Sequence, residues 1–391
     1  MSRVTNLIVG AIVAVGAFHA YTKRVDTGDK EPGNKPAASV IAVTSGGSGG
    51  VALETEAAAD RGASGAGAGS GASTGAKPEP KAAPPVKASA GAEEPTTAGG
   101  EGPASAAAAA SGLRRDGIEA LMAGDEAKGA FLLYRAARAR TQSQDREDAV
   151  ARLGALEKAA AEKAAKARTA GAGLDERAAL SVAYLAALDV GRRNAHKARL
   201  DELVNEYIFT PRQVECADTH VVVKGDSLQK IAAKYNFPVE GIMKVNRLAT
   251  TNLRLGDRLK VPRGPVEVLV VKSEFRLVVL LAGLYLREYS VGTGHDGCTP
   301  ETSFTIEDKI KEPTWHSKEG VFPFGHPKNI LGTRWMAFKN TEEHKGFGIH
   351  GTAFPNSIGT EASSGCIRMR NADVEELFGL VPKGAAVTIT R

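Results

Sequence analysis

Hydrophobic and polar positions change rhythm several times along the chain, and each change predicts a different structure. Val4 to Phe18 is almost wholly apolar, with Arg3 before it and Lys23 and Arg24 after it. A spanning helix needs about 20 residues, and Thr5, Asn6 and His19 to Tyr21 extend the run toward that length. The stretch 1–24 is expected to be an uncleaved signal anchor, although the basic pair after it works against the positive-inside pattern. A cleaved secretory signal ending near Val15-Gly16-Ala17 is the alternative. Either reading carries the rest of the chain out of the cytoplasm, and the anchor reading holds it at the inner (plasma) membrane. From 25 to 111 the rhythm disappears into Ala, Gly, Ser, Pro, Thr, Glu and Lys, with no aromatic residue. Such a stretch buries too little apolar area to offset its ordering entropy and predicts a disordered tether. Its r.m.s. span would be roughly 50 Å.

A period of 3.6 begins near Leu113. Ile118, Leu121 and Met122 share one face, as do Phe131, Tyr134 and Ala137, and Leu180, Ala183, Tyr184 and Ala187. Gly124-Asp125 and Gly171-Ala172-Gly173 interrupt the pattern, and Asp175 is an expected N-cap. Residues 112–210 therefore predict four or five helices. Ala120 to Ala137 bears a slight likeness to one tetratricopeptide helix pair but lacks its signature Trp and Pro, and no repeat of about 34 residues follows. Glu157 to Arg168 is expected to be a solvated helix. The region is either a spacer or a surface for a protein partner.

Residues 218–263 read as strand, helix, helix, strand. His220-Val221-Val222-Val223 opens the module. Gly225-Asp226-Ser227-Leu228 turns into a helix, with Asp226 and Gln229 spaced for a capping box. Pro238 starts a second helix, and Leu259-Lys260-Val261-Pro262 closes the unit. The words Val-Lys-Gly-Asp-Ser-Leu, Val-Asn-Arg-Leu and Leu-Lys-Val-Pro make this stretch resemble a LysM domain. That resemblance implies binding of N-acetylglucosamine-containing glycan strands such as peptidoglycan, with Gly225 to Leu228 and Leu248 to Leu253 as candidate contacts.

From Val266 the pattern turns to β. Leu277 to Leu281 and Leu284 to Tyr289 flank Ala282-Gly283, a hairpin signal. Further strands are expected at Ser303 to Ile306, Trp335 to Lys339, Gly348 to His350 and Ala386 to Thr390, with Asn371 capping a short helix. The fold class is thus multidomain: anchor and tether, a helical region, a small α+β module, and a mainly-β domain over 266–391.

His350 and Cys366 lie sixteen positions apart in this last domain, each beside glycine. A free thiol is only a few per cent thiolate at neutral pH, and a neighbouring imidazole can take its proton. The pair is expected to act as nucleophile and base through a stabilised ion pair. Gly365 permits close backbone approach, and backbone N–H groups at Ser364 and Gly365 are candidate oxyanion donors. Arg368, two residues on, is a candidate carboxylate-binding cation.

The words around the pair are more specific than the pair itself. Ser290-Val291-Gly292-Thr293-Gly294, Thr299-Pro300, Asn329-Ile330-Leu331-Gly332-Thr333-Arg334-Trp335, Gly348-Ile349-His350-Gly351-Thr352 and Ser363-Ser364-Gly365-Cys366-Ile367-Arg368-Met369 follow in order. This stretch strongly resembles the YkuD-type L,D-transpeptidases. The resemblance implies that Cys366 attacks a peptidoglycan stem and that a second stem's amine then forms a 3→3 cross-link. It implies His350 as base and then acid, the Gly351 carbonyl as the group orienting the imidazole, and no cofactor or metal. Ser364 stands where many members carry histidine, and Glu301 departs from the usual Thr-Pro-Thr-Gly. Hydrolysis by the same acyl-enzyme (L,D-carboxypeptidase) and a non-catalytic wall-binding scaffold are the other readings.

Charge changes little. The formal net charge of +5 is spread out, with no dense basic block interleaved with aromatics, so nucleic acid is not an expected partner. Three cysteines are too few for a disulfide scaffold, though a Cys216–Cys298 bridge would leave Cys366 free. The irregular spacing of His295, Cys298, His316 and His326 disfavours a metal site, and His344 is expected to be solvated.

Overall fold

The computed structural model describes residues 103–214 and 216–391. The expected anchor and most of the tether lie outside the described residues. Helix begins earlier than the composition suggested. α1 spans Pro103–Met122, so the expected tether over 25–111 runs into helix. Proline suits the first helical turn, and the alanine run behind it has the highest helix propensity.

Four more helices follow: α2 (Glu126–Arg138), α3 (Gln144–Thr169), α4 (Gly173–Ala186) and α5 (Val190–Leu203), ending in a π turn at Val204–Ile208. Asp125 and Ser143 cap α2 and α3, each accepting an amide three residues on. Asp175 does not cap α4; Ala172 holds that position and Asp175 lies inside the first turn. The expected solvated stretch also differs. Ala149, Leu153, Ala160 and Ala164 form a buried face of α3, and Glu157 is 6% exposed, paired with Arg192 at 2.8 Å and facing His196. Small side chains make that face invisible to a hydrophobicity pattern while letting helices approach closely.

The module over 217–262 pairs β1 (Ala217–Val221) antiparallel with β2 (Arg258–Pro262), with α6 (Leu228–Tyr235) and α7 (Val239–Asn246) between them. Ser227, not Asp226, caps α6 by accepting the Lys230 amide. Asp226 instead accepts the Val223 amide at 2.9 Å and meets His220 Nε2 at 2.9 Å, closing the loop before the helix. Lys260 is fully buried, and its Nζ donates to the carbonyls of Tyr207, Ile208 and Thr210 at the end of the helical region. Burial lowers its pKa to about 8.

The β domain contains β3 (Val266–Val271), β4 (Arg276–Leu281), β5 (Leu284–Ser290), β6 (Thr293–Gly294), β7 (Ser303–Lys311), β8 (Trp315–Ser317), β9 (Gly320–Phe322), β10 (Arg334–Phe338), β11 (Gly348–His350), β12 (Glu361–Ser363), β13 (Ile367–Arg368) and β14 (Ala386–Thr390), with α8 (Asn371–Leu380) before the last strand. Eight strands form one sheet in the order β13-β11-β10-β7-β14-β3-β4-β5. The β4–β5 turn has positive φ at both Ala282 and Gly283, as a tight type I′ hairpin requires. β4 is buried along its whole length and β3 at every position but Glu267.

β5 is an edge strand, and α4 occupies that edge. The Tyr285 amide donates to Ser181 Oγ at 3.1 Å, and Arg177 Nη2 donates to the Tyr285 carbonyl at 2.8 Å. Two side chains thereby replace a missing ladder partner. Beside them Arg276 is buried between Tyr134, Tyr184, Glu274 and Glu288, and Glu274 also pairs with Arg138 and Arg193. On the opposite flank α7 packs on α8. A Cβ on Gly241 would lie 2.5 Å from the Gly379 carbonyl, and ion pairs Glu240–Lys311 and Lys244–Glu376 frame the contact.

Candidate active site

The parallel pairing of β11 with β13 brings the two motif words together. Ile349 lies opposite Ile367 and His350 opposite Arg368, so Cys366 sits at the open end of β13 beside Gly348. Gly348 admits no side chain, since a Cβ would lie 2.6 Å from the Met336 carbonyl and 3.0 Å from the Trp335 ring. His350 is 3% exposed, with its ring 5.7 Å from Trp335. Its Nδ1 donates to the Gly351 carbonyl at 2.5 Å, which leaves Nε2 as the unprotonated nitrogen.

The turn carrying the thiol is held from three sides. Ser363 Oγ accepts the Gly365 amide at 3.1 Å and donates to the Cys366 carbonyl at 2.6 Å. Thr299 Oγ1 accepts the Gly294 amide at 2.7 Å and donates to the Gly365 carbonyl at 2.9 Å. Gly365 has φ +127°, and a Cβ there would meet Phe347 at 2.5 Å and the Cys298 carbonyl at 3.0 Å. The thiol donates to the Gly346 carbonyl at 3.7 Å, a long contact consistent with sulfur. Because Gly365 N–H is engaged by Ser363, it is not free for an oxyanion. Ser364 is exposed.

Burial decides the resting charge state. It pushes the Cys366 thiol up to about 11, against the smaller pull of the Gly348 backbone and Arg368. Burial also lowers His350 to about 4, opposed by the Gly351 and Leu331 backbone and reinforced by Arg368. Both shifts favour the neutral thiol and the neutral imidazole over the ion pair expected from the sequence, and the thiol's hydrogen bond goes to the Gly346 carbonyl rather than to His350. Arg368 is the one cation acting on both groups. Among the described residues its Nε is buried without a hydrogen-bond partner, while its backbone pairs with Gly292.

Asn371 does not cap α8; Arg370 holds that position. Asn371 Oδ1 instead accepts the Thr333 amide at 3.3 Å and the Thr352 amide at 3.2 Å, joining the two loops that flank Gly351. All three cysteines are free, so Cys216 and Cys298 are not bridged. His344 is only partly exposed, meeting Phe304 and Phe347 edge-on.

A family model for the L,D-transpeptidase catalytic domain matches residues 265–389, and a LysM domain model matches 220–262. Putative L,D-transpeptidase YqjB of Bacillus subtilis is 41% identical over 132 residues, covering 32% of this chain and 72% of that protein. Putative L,D-transpeptidase YkuD of Bacillus subtilis is 31% identical over 180 residues, covering 44% of this chain and 99% of that protein. The chain belongs to the L,D-transpeptidase family. Among solved structures, an L,D-transpeptidase from Mycobacterium smegmatis aligns at 18% identity and TM-score 0.28, over 35% of this chain and 64% of that one.

Within this L,D-transpeptidase, the sequence words carried Cys366, His350 and Gly351 with an expected task for each, and Thr299 without one. Ser363 and Asn371 escape a motif reading. Their signal is a short polar side chain at a turn, which commonly binds backbone amides. Glu301, the departure from the usual motif, pairs with Arg140 and Lys272.

Proposed function

We propose that this L,D-transpeptidase forms 3→3 peptidoglycan cross-links through an acyl-enzyme on Cys366. Cys366 Sγ attacks the carbonyl that follows the L-centre of a stem diamino acid. As the C–S bond forms, the thiol proton passes to His350 Nε2, and the imidazolium then returns it to the departing D-alanine nitrogen as that C–N bond breaks. A side-chain amine of a second stem next attacks the thioester. Its C–N bond forms, its proton goes to His350, and the C–S bond breaks with the sulfur taking the proton back. The observation that carries this reading is the bond from His350 Nδ1 to the Gly351 carbonyl. It fixes the tautomer a general base needs and stabilises the imidazolium. The backbone N–H groups of Ser364 and Cys366 are the proposed oxyanion donors, and Arg368 binds a stem carboxylate while stabilising sulfur charge.

The LysM domain supports wall binding. Val223 and Leu255 are exposed apolar side chains beside its two loops and offer a surface for sugar faces. An anchor over 1–24 and the tether would place this unit outside the inner membrane. The helical region, tetratricopeptide-like or not, serves first as support for the sheet edge and leaves its outer faces to a protein partner.

Mass spectrometry of muropeptides tests the reaction. Dimers joined 3→3 support transfer, whereas tripeptides trimmed of D-alanine without dimers would show an L,D-carboxypeptidase. Cys366→Ala should lose covalent labelling by a carbapenem; labelling that persists removes Cys366 as nucleophile, and an inactive wild type would leave a wall-binding scaffold.

A further inference from the structure

The connection between β3 and β4 is held more firmly than a surface turn needs. It is a single turn, Lys272–Glu274, closed by Phe275 in the left-handed region at φ +48°. Two of its side chains are gripped by guanidinium groups. Ser273 Oγ accepts Arg138 Nη1 at 3.0 Å, and Glu274 pairs with Arg138, Arg193 and Arg276. Arg138 lies in α2 and Arg193 in α5, so the helical region fixes this turn. The remaining side chain, Lys272, reaches the catalytic loop. It is 5% exposed, and its Nζ donates to the Thr299 carbonyl at 2.6 Å and meets Glu301 at 3.4 Å. Burying an ammonium costs free energy unless partners replace its water, so these contacts hold the loop in place.

Thr299 passes the constraint on. Its hydroxyl is spent twice, accepting the Gly294 amide at 2.7 Å and donating to the Gly365 carbonyl at 2.9 Å, and the residue is buried. Backbones meet directly here. A Cβ on Gly294 would lie 2.8 Å from Gly365 Cα and 2.9 Å from the Thr299 nitrogen. No side chain separates these segments, and a β-branched threonine is stiff about χ1, so little can absorb a shift of Thr299. The shift moves Gly365, and Cys366 is the next residue. Displacing a reacting group by about 1 Å can cost about 100-fold in rate. Glu301 adds a second link to the helical region, because the same carboxylate pairs with Lys272 and with Arg140, at 2.7 Å, in the α2–α3 loop. Threonine at 301, as in the usual motif, carries no charge to pair with two cations.

We propose that Lys272 is a positioning residue for Cys366, acting through Thr299, and that Glu301 makes the setting of the nucleophile depend on the helical region. The proposal rests on the reading of Cys366 as nucleophile above. Lys272 acts at one remove, by holding the loop against which the thiol turn is built. The helical region then does more than cover the sheet edge, since Arg138 holds the turn that carries Lys272 and Arg140 holds its carboxylate partner. Restoring threonine at 301 should slow this enzyme, although it brings the sequence closer to the usual motif.

The test uses the full-length chain and the rate at which a carbapenem acylates it, followed by intact-protein mass spectrometry across carbapenem concentrations. Lys272→Met keeps a long side chain and removes its donors. Its maximal acylation rate should fall at least tenfold, with half-saturation within twofold of wild type. Thr299→Val should fall at least as far, and the double variant should be no more than twofold slower than the slower single one, because the two residues act in series. Glu301→Thr should slow acylation at least threefold on its own and have no further effect beside Lys272→Met. Losses that multiply in the Lys272–Thr299 pair, an unchanged rate in Lys272→Met, or a loss confined to half-saturation overturns the proposal. If Lys272→Met does not fold, Glu301→Thr decides, and a rate equal to wild type overturns the proposal. A wild type that is not labelled, or labelling that survives Cys366→Ala, defeats the nucleophile reading instead. Hydrogen exchange then still decides the relay: the Gly294 amide should exchange at least tenfold faster in Glu301→Thr or Lys272→Met while α4 is unaffected, and no change at Gly294 rejects it.

Discussion

Proton position at Cys366 and His350 follows from their surroundings, and it sets how the reaction should respond to pH. With His350 near 4 and the thiol near 11, both stay neutral across the physiological range. The acylation rate of free enzyme should therefore be flat from about pH 5 to 9, with its acid limb near 4 rather than at the free-imidazole value near 6.5. Iodoacetamide should alkylate Cys366 slowly at pH 7 and faster as pH rises toward 11. An acid limb at 6.5, or rapid alkylation at pH 7, would show a preformed ion pair. Stability responds as well. A depressed histidine contributes stability that is complete above the unfolded pKa and is lost as pH falls through the folded one. Relative to His350→Gln, wild type should lose on the order of 3 kcal/mol between pH 6.5 and 4 in denaturant titrations. Asn371 gives a second residue-scale prediction. Asn371→Ala removes the acceptor of the Thr333 and Thr352 amides, which should cost about 1–3 kcal/mol. It should also lower kcat about tenfold with little change in KM, since the Gly351 carbonyl loses its footing. Motif words revealed the reacting pair because those residues are adjacent to distinctive glycines. Their charge state was not legible, because the burial comes from Trp335, Phe347 and the Gly346 loop, which no local pattern links to the thiol.

Helix α4 shows how an element can serve another domain. Its middle residues are buried all round, and two of its polar side chains complete the hydrogen bonding of edge strand β5. Replacing Ser181 with Ala removes one acceptor. Replacing Arg177 with Met leaves the Tyr285 carbonyl without its donor and a large side chain repacked. Each should cost about 1–3 kcal/mol in chemical denaturation, and Arg177→Met should also raise aggregation as the edge opens. Variants as stable and soluble as wild type would show that the edge needs no cover. The long strands of the β domain were legible to within a residue or so, because alternation and the Ala282-Gly283 turn mark them directly, except that β7 runs on to Lys311 where a strand ending at Ile306 was expected, and the short strands β6, β8, β9, β12 and β13 carry too few residues for a pattern. The helices were legible in number but not at their ends. Pro103 and the alanines after it look like tether by composition, and the closely packed face of α3 is built from alanine, which carries little hydrophobic signal. Asp226, Asp175 and Asn371 were all expected to cap helices. Each is at or near a helix start, and local spacing could not reveal that Asp226 and Asn371 bind elsewhere.

Across the whole folded unit, the helical region, LysM domain and catalytic domain share contacts rather than hanging on linkers. Lys260 ties the LysM strand to the last helical turn, Arg276 ties α2 and α4 to the sheet, and Gly241 meets Gly379 at the LysM–catalytic seam. Calorimetry should therefore give one cooperative transition for these parts, and Gly241→Leu should split off an earlier LysM transition by forcing α7 away from α8. Two resolved transitions in wild type would refute that coupling. Nothing in the LysM or catalytic words foretold this seam, because each word set describes one domain's own interior. The seam makes the enzyme a gauge. On the proposed function, a glycan strand held by the LysM surface would meet Cys366 at one angle and one distance, so only stems in one phase of the strand would come within reach. Cross-links should then recur at a regular count of disaccharides along each strand, and loosening the seam should blur that interval while leaving the chemistry of each link unchanged.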